Sequence, residues 1–329
     1  MHTLRDAVVV ITGASSGIGL ATARAFAARG ARLALAGRRP EPLKDAARSC
    51  EALGAPRALA VPTDVTDEGQ VAALAEAALR EFGRVDVWVN NVGTGVFGPY
   101  ADAPAALHRK VVETNLVGAM HGASAVLPIF LRQRRGVMVN MVSVGGWAPV
   151  PFAAAYSASK AGLRAFTAAL RQELKEAAPG VRVCGLFPAT VDTPAFDRGA
   201  NVSGRALDLG GPIYAAERVA EAVVGLALHP RDEVAVGWPA RAAQVAYALF
   251  PGPAEHATGA MLRRYLRRAP PAPRVEGSVM RPIPEGTTTS GGWRARKAAE
   301  GGGATPWAVA GAAILALGAA AWLTRSRGA

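Results

Sequence analysis

Tyr156 and Lys160 stand four residues apart in a stretch that reads as helix, so their side chains share one face. A free phenol titrates near ~10 and is a poor base at neutral pH, but a neighbouring ammonium favours the phenolate, so the pair suits proton exchange with a substrate oxygen. Ser143, thirteen residues earlier, carries a hydroxyl that can hydrogen-bond a carbonyl as negative charge develops on it. Near the amino terminus, Thr12-Gly13-Ala14-Ser15-Ser16-Gly17-Ile18-Gly19 follows an apolar run and opens a helix. Three glycines in a strand-to-helix turn let the backbone approach a pyrophosphate, whose charge the helix N-terminus favours. The spacing is G-x-x-x-G-x-G, unlike the commoner dinucleotide fingerprint G-x-G-x-x-G.

A regular alternation of elements must position these groups. From Val8 to about Gly237 short β-rich runs alternate with longer Ala- and Leu-rich stretches, the pattern of repeated βαβ units and a parallel sheet. It predicts strands at Val8–Thr12, Arg32–Ala36, Arg57–Pro62, Val85–Asn90, Val137–Val142, Val181–Phe187 and Glu233–Val236. Helices are expected near Gly17–Arg29, Glu41–Leu53, Glu68–Phe82, Ala105–Arg134, Ala155–Ala178 and Ala215–Leu228, with Gly30 capping the first. Nearly unbroken apolar strands such as Val8-Val9-Val10-Ile11 imply a sheet covered on both faces.

On these motifs the chain resembles the short-chain dehydrogenase/reductase family. Beyond the glycine turn, Asp64-Val65 resembles the family's adenine-side contact, and Asn90-Asn91-Val92-Gly93 its N-N-A-G motif with Val for Ala. Asn115 lies where the family carries a catalytic Asn, Ser143 precedes Tyr156-Ser157-Ala158-Ser159-Lys160, and Pro188-Ala189-Thr190-Val191-Asp192-Thr193 resembles P-G-x-V-x-T with Ala189 for Gly. The likeness spans roughly residues 6 to 240. It implies an α/β class, a Rossmann-like doubly wound parallel sheet of about seven strands with helices on both faces. It also implies hydride transfer between a nicotinamide cofactor and a carbonyl/alcohol substrate, with Tyr156, Lys160, Ser143 and Asn115 as the catalytic set. By the same resemblance Lys160 also holds the nicotinamide ribose, and Asn115 positions a water in a proton relay to Lys160.

The expected cofactor contacts are Gly13, Ser15, Ser16, Gly17, Ile18, Gly19, Arg38, Arg39, Asp64, Val65, Asn91, Gly93, Tyr156, Lys160, Pro188 and Thr193. An acidic residue at the end of the second strand would accept from the ribose 2′-hydroxyl of NAD. Here Gly37 stands in that place and Arg38 and Arg39 follow, which suits the 2′-phosphate of NADP, so NADP(H) is favoured over NAD(H). A homodimer or homotetramer is the family expectation. An alternative reading keeps the fold without catalysis, as a nucleotide sensor or scaffold. Against it, both Tyr156 and Lys160 are present.

The chain has 329 residues, 50% apolar, enough for a sizeable core, and this excludes a wholly disordered protein. Two cysteines exclude a disulfide-dense scaffold and a Cys-built zinc site. The net charge of +12 is lopsided: from Met261 onward eleven Lys and Arg face three acids. This basic tail lacks interleaved aromatics and a groove-reading motif, so no nucleic-acid partner is expected.

The domain division is a catalytic domain over 1–260, a basic Pro/Gly-rich flexible linker over 261–306, a transmembrane anchor over 307–323 and a short basic tail over 324–329. Trp307–Leu323 is uncharged, has Trp307 and Trp322 near its ends, and is followed by Arg325 and Arg327. At ~1.5 Å per residue it spans ~26 Å, the short end for a ~30 Å hydrocarbon core. Membrane lipid is the expected partner of this C-terminal helix, as a single-pass anchor holding the catalytic domain in the cytoplasm. The apolar segment Trp238–Phe250 is expected to pack on the body. If it and the tail both touch membrane, a lipophilic substrate would reach the site from the bilayer.

Overall fold

The computed structural model describes residues 3–283 and 287–299. Seven strands form one sheet: β1 (Val8–Thr12), β2 (Arg32–Gly37), β3 (Ala58–Pro62), β4 (Val87–Asn90), β5 (Gly136–Met141), β6 (Val181–Pro188) and β7 (Glu233–Val236). They lie in the order β3-β2-β1-β4-β5-β6-β7, and every pairing is parallel. The order reverses between β1 and β4, and the crevice outside the carboxyl ends of strands at such a point is where ligands bind in open α/β sheets.

Helices cover both faces, as the two-sided apolar strands require. On one side α1 (Gly17–Ala27), α2 (Pro40–Ala52) and α8 (Ala216–Leu228) pack Leu20, Phe26, Leu43 and Val223 onto Val9, Ile11, Leu33 and Leu35. On the other, α3 (Glu68–Phe82), α5 (Gly118–Gln133) and α6 (Ala154–Ala177) pack Leu74, Val126, Phe130 and Leu170 onto Val10, Ala34, Trp88 and Met138. Asp67 caps α3 by accepting from the Gln70 amide, and Gly83, at φ 75°, ends it in the left-handed conformation that costs glycine least. Gly30, also left-handed at φ 74°, closes the turn after α1.

The helix expected over 105–134 is broken by a π-helical stretch, Glu113–Val117, between α4 (Ala105–Val112) and α5. Such stretches concentrate at functional sites, and this one carries Asn115. The apolar 238–250 segment forms α9 (Trp238–Leu249), which buries Ala240 and Ala246 on the body while Trp238, Val245 and Leu249 face outward. The basic stretch after it, to which the sequence assigned no element, is a helix, α10 (Pro251–Arg268).

The region read as a free linker requires correction. Residues 270–283 and 287–299, ending in α11 (Trp293–Ala299), run back over the carboxyl edge of the sheet. Val275 pairs antiparallel with Asn201, and Ala206 donates to the Pro270 carbonyl. Low hydropathy had argued for freedom, but backbone hydrogen bonds hold this segment, and composition does not report them. The expected anchor at 307–323 lies outside the described residues. Among the described residues, one stretch, Ala105–Gln133, is long and apolar enough to cross a membrane, and it packs in the domain through Leu107, Val111, Val126 and Phe130.

Candidate active site

The glycine turn joins β1 to α1. Gly13 and Gly17 have φ of 69° and 55°, conformations that cost an L side chain. Gly19 is required by contact: a Cβ there would lie 2.1 Å from the Gly13 carbonyl oxygen. The Asn91 side chain braces the turn, donating to the carbonyls of Thr12 at 3.0 Å and Gly13 at 3.4 Å. Asn91 thus braces the cradle that it was expected to line as a cofactor contact.

Around this turn the carboxyl ends of the strands gather the other expected residues. Ser15 lies beside Gly37, 3.5 Å from where a Cβ would stand. Ser16 precedes α1, and Ile18 packs partly into the core. Arg38 and Arg39 project from the end of β2. Asp64 accepts from the Thr66 amide and hydroxyl, and Val65 is buried beside it, against Gly118. Pro188 ends β6, and Thr193 is buried against Gly17.

Tyr156, Lys160 and Ser143 converge next to Gly93 and Asn115. The Tyr156 ring lies between two glycines; Cβ atoms on Gly145 and Gly95 would come within 3.1 and 3.6 Å of it. Ser143, at the end of β5, has φ 143°, a strained value for a non-glycine residue, and its hydroxyl hydrogen-bonds Tyr156. Lys160 is buried, with Nζ donating to the Met141 carbonyl at 2.8 Å and lying 5.9 Å from the Tyr156 ring centroid. Gly93 makes room for it: a Cβ there would be 3.5 Å from Nζ and 3.7 Å from Asn115 Oδ1.

Two electrostatic expectations change. Burial, the largest influence, pushes the Tyr156 phenol above its ordinary value, and the Ser143 hydrogen bond pulls it part of the way back. Burial alone lowers Lys160 to about 8. The net shift of the phenol is therefore upward and set by burial, where the Lys160 ammonium alone was expected to lower it. The Asn115 side chain is likewise occupied. Its Nδ2 donates to the Thr94 carbonyl and to Ser159 Oγ, and its Oδ1 accepts from the Thr94 amide, so it fixes the strand β4 exit.

A family model described as short chain dehydrogenase matches residues 7–201. An uncharacterized oxidoreductase of Bacillus subtilis, YxnA, is 34% identical over 253 residues, 76% of this chain and 71% of its own. A short-chain dehydrogenase/reductase from Burkholderia phymatum in complex with NAD superposes with a TM-score of 0.65 at 28% identity, covering 84% of this chain and 99% of that one. The chain belongs to the short-chain dehydrogenase/reductase family. An alcohol dehydrogenase of Thermococcus sibiricus complexed with 5-hydroxy-NADP is also similar, with a TM-score of 0.61, 29% identity and coverage of 70% of this chain and 95% of that one. Both NAD and NADP are found bound among these similar structures.

Sequence reasoning missed a set of contacts within this family site. Asp192 accepts from Ser290 Oγ at 2.7 Å and from the amides of Gly291 and Trp293 at 3.0 Å each, so it caps the end of the C-terminal segment. The Ser290-Gly291-Gly292 run before Trp293 is a readable helix-start signal, but nothing local says which carboxylate it meets. Val279 is buried in the apolar cluster of Val96, Leu107 and Ala200 against which Tyr156 packs.

Proposed function

We propose that this chain is an NADP(H)-dependent oxidoreductase acting on a carbonyl/alcohol pair, with Tyr156 as general acid in reduction and general base in oxidation. The observation that carries the reading is the convergence of Ser143, Tyr156 and Lys160 at the carboxyl ends of β4 and β5, beside the glycine turn. The bound cofactor would supply the hydride. Gly13, Gly17 and Gly19 let the backbone approach the pyrophosphate, Arg38 and Arg39 would meet the 2′-phosphate, and Asp64 and Val65 would flank the adenine. Thr193, beside Gly17, would contact the nicotinamide side.

The chemistry of the chain's own groups follows from their settings. A phenol pushed upward by burial stays protonated at neutral pH, which suits it to give a proton to the oxygen of a carbonyl. The Ser143 hydroxyl orients that oxygen and offsets its developing charge. Lys160, lowered to about 8, holds a proton that it can release near neutrality. Asn115 positions the Thr94 backbone and, by family resemblance, would position a water in a proton relay to Lys160. The uncharged 307–323 run supports an anchor in membrane lipid with the catalytic domain on the cytoplasmic side, and a lipophilic substrate would suit that setting. A homodimer or homotetramer is proposed from family membership.

Tyr156→Phe tests this reading. Reduction of a panel of ketones, aldehydes and sterol-like carbonyls with NADPH should fall by at least ~10²-fold, with NADPH affinity changed only a few-fold. Turnover that survives the loss of the hydroxyl would refute the assignment of Tyr156. Nucleotide binding with no turnover on any carbonyl or alcohol would favour the sensor alternative.

A further inference from the structure

The C-terminal segment runs along the donors that a dinucleotide would need. The Gly17 amide, at the N-terminus of α1, donates to the Thr288 carbonyl at 2.9 Å. The Arg38 guanidinium donates to the Ser278 carbonyl at 3.0 Å, and that of Arg39 to the Ile283 carbonyl at 2.9 Å. Three donor groups of the glycine turn and the β2 end thus point at one track, and neutral backbone oxygens occupy it. The track fits phosphate oxygens, because the same N–H groups that donate to a carbonyl there would bind an anion more strongly.

The segment is secured at both ends. Upstream, Val275 pairs with Asn201 and the Ser278 amide donates to the Arg198 carbonyl at 2.7 Å. Downstream, Asp192 holds Ser290, Gly291 and Trp293, and Lys297 donates to the Leu209 carbonyl at 2.9 Å. Gly291 passes so close to Thr193 that a Cβ would lie 2.4 Å from its carbonyl oxygen. The Val279 side chain reaches the cluster beside Tyr156. Both halves of the active site are therefore touched by residues of this segment.

We infer that residues 278–283 and 287–291 form an autoinhibitory strap whose backbone carbonyls stand in for phosphate oxygens at Gly17, Arg38 and Arg39, so that dinucleotide binds only when these residues lift. The inference rests on the nucleotide-binding reading of the site given above. Apparent nucleotide affinity is then the intrinsic affinity reduced by the fraction of molecules with the strap raised. Anything that loosens the Asp192 end raises that fraction.

The test uses the full chain in detergent, with NADPH as the probe. Gly291→Ala forces the Thr193 contact apart, and Ser290→Ala removes one bond to Asp192 with little risk to folding. Under the proposal Gly291→Ala binds NADPH at least tenfold more tightly, Ser290→Ala shifts by a smaller factor in the same direction, and NADPH speeds tryptic cleavage after Arg294 in the unmodified chain. If Gly291→Ala does not fold, Ser290→Ala and the cleavage assay carry the test. Unchanged or weaker NADPH binding in the variants, or protection of Arg294 by NADPH, overturns the strap and leaves the nucleotide site standing. Absence of NADPH and NADH binding in every form overturns the nucleotide reading itself and the strap with it.

Discussion

Lys160 offers the most direct measurement of how the site is built. Burial lowers its pKa from 10.5 to about 8, so between those values the folded chain binds fewer protons than the unfolded chain. Stability from this group therefore rises with pH across that window, and at pH 7 the folded state carries the full penalty of about 3 kcal/mol. Lys160→Met keeps the length of the side chain and removes the charge. It also removes the 2.8 Å bond to the Met141 carbonyl, a loss of about 1–3 kcal/mol, so the net difference at neutral pH is small. The pH dependence of that difference isolates the buried charge, because other titrating groups cancel. From about pH 7 to about pH 9.5 the unmodified chain gains about 2 kcal/mol from Lys160 and the variant gains none. Urea unfolding of both proteins at several pH values measures the gap, which must move by that amount in favour of the unmodified chain. A gap that stays constant within about 0.5 kcal/mol would refute the claim that a desolvated ammonium sits under the active site.

Two further outcomes are expected. Arg38→Ala should reduce the NADPH-over-NADH affinity ratio about ten- to a hundredfold, the worth of a charge-assisted hydrogen bond to phosphate; strap displacement is common to both nucleotides and drops out of the ratio, which fluorescence titration measures. Asn140→Leu should destabilise the fold by about 2–5 kcal/mol in urea unfolding, since Asn140 accepts from Asn90 and donates to Thr167 at 2.9 Å each in a fully buried network, and both partners would lose a bond.

The candidate site was legible wherever chemistry is carried by local spacing. Tyr156 and Lys160 share a helix face because four residues are about one turn, and the glycine turn announces itself because only glycine fits Gly13, Gly17 and Gly19. The direction of the Tyr156 shift was not legible: spacing says that Lys160 is near, but burial, which only the fold sets, is the largest influence on both groups. Asn91 and Asn115 were found as motif members, yet their amides turned out to hold backbone, a choice set by which chain passes within 3 Å.

The sequence by itself determined the seven strands, the helices between them and their parallel wrapping, because two-sided burial demands unbroken apolar strands and amphipathic helices, and both leave a periodic trace. Only the tertiary structure decided the fate of residues 270–283 and 287–299. Their Pro, Gly, Ser and Thr content looks like a free linker because they bury little apolar surface. They are held instead through backbone carbonyls and amides by Gly17, Arg38, Arg39 and Asp192. Every residue has those backbone groups, so their partners are written in the fold and not in the sequence of the segment that uses them.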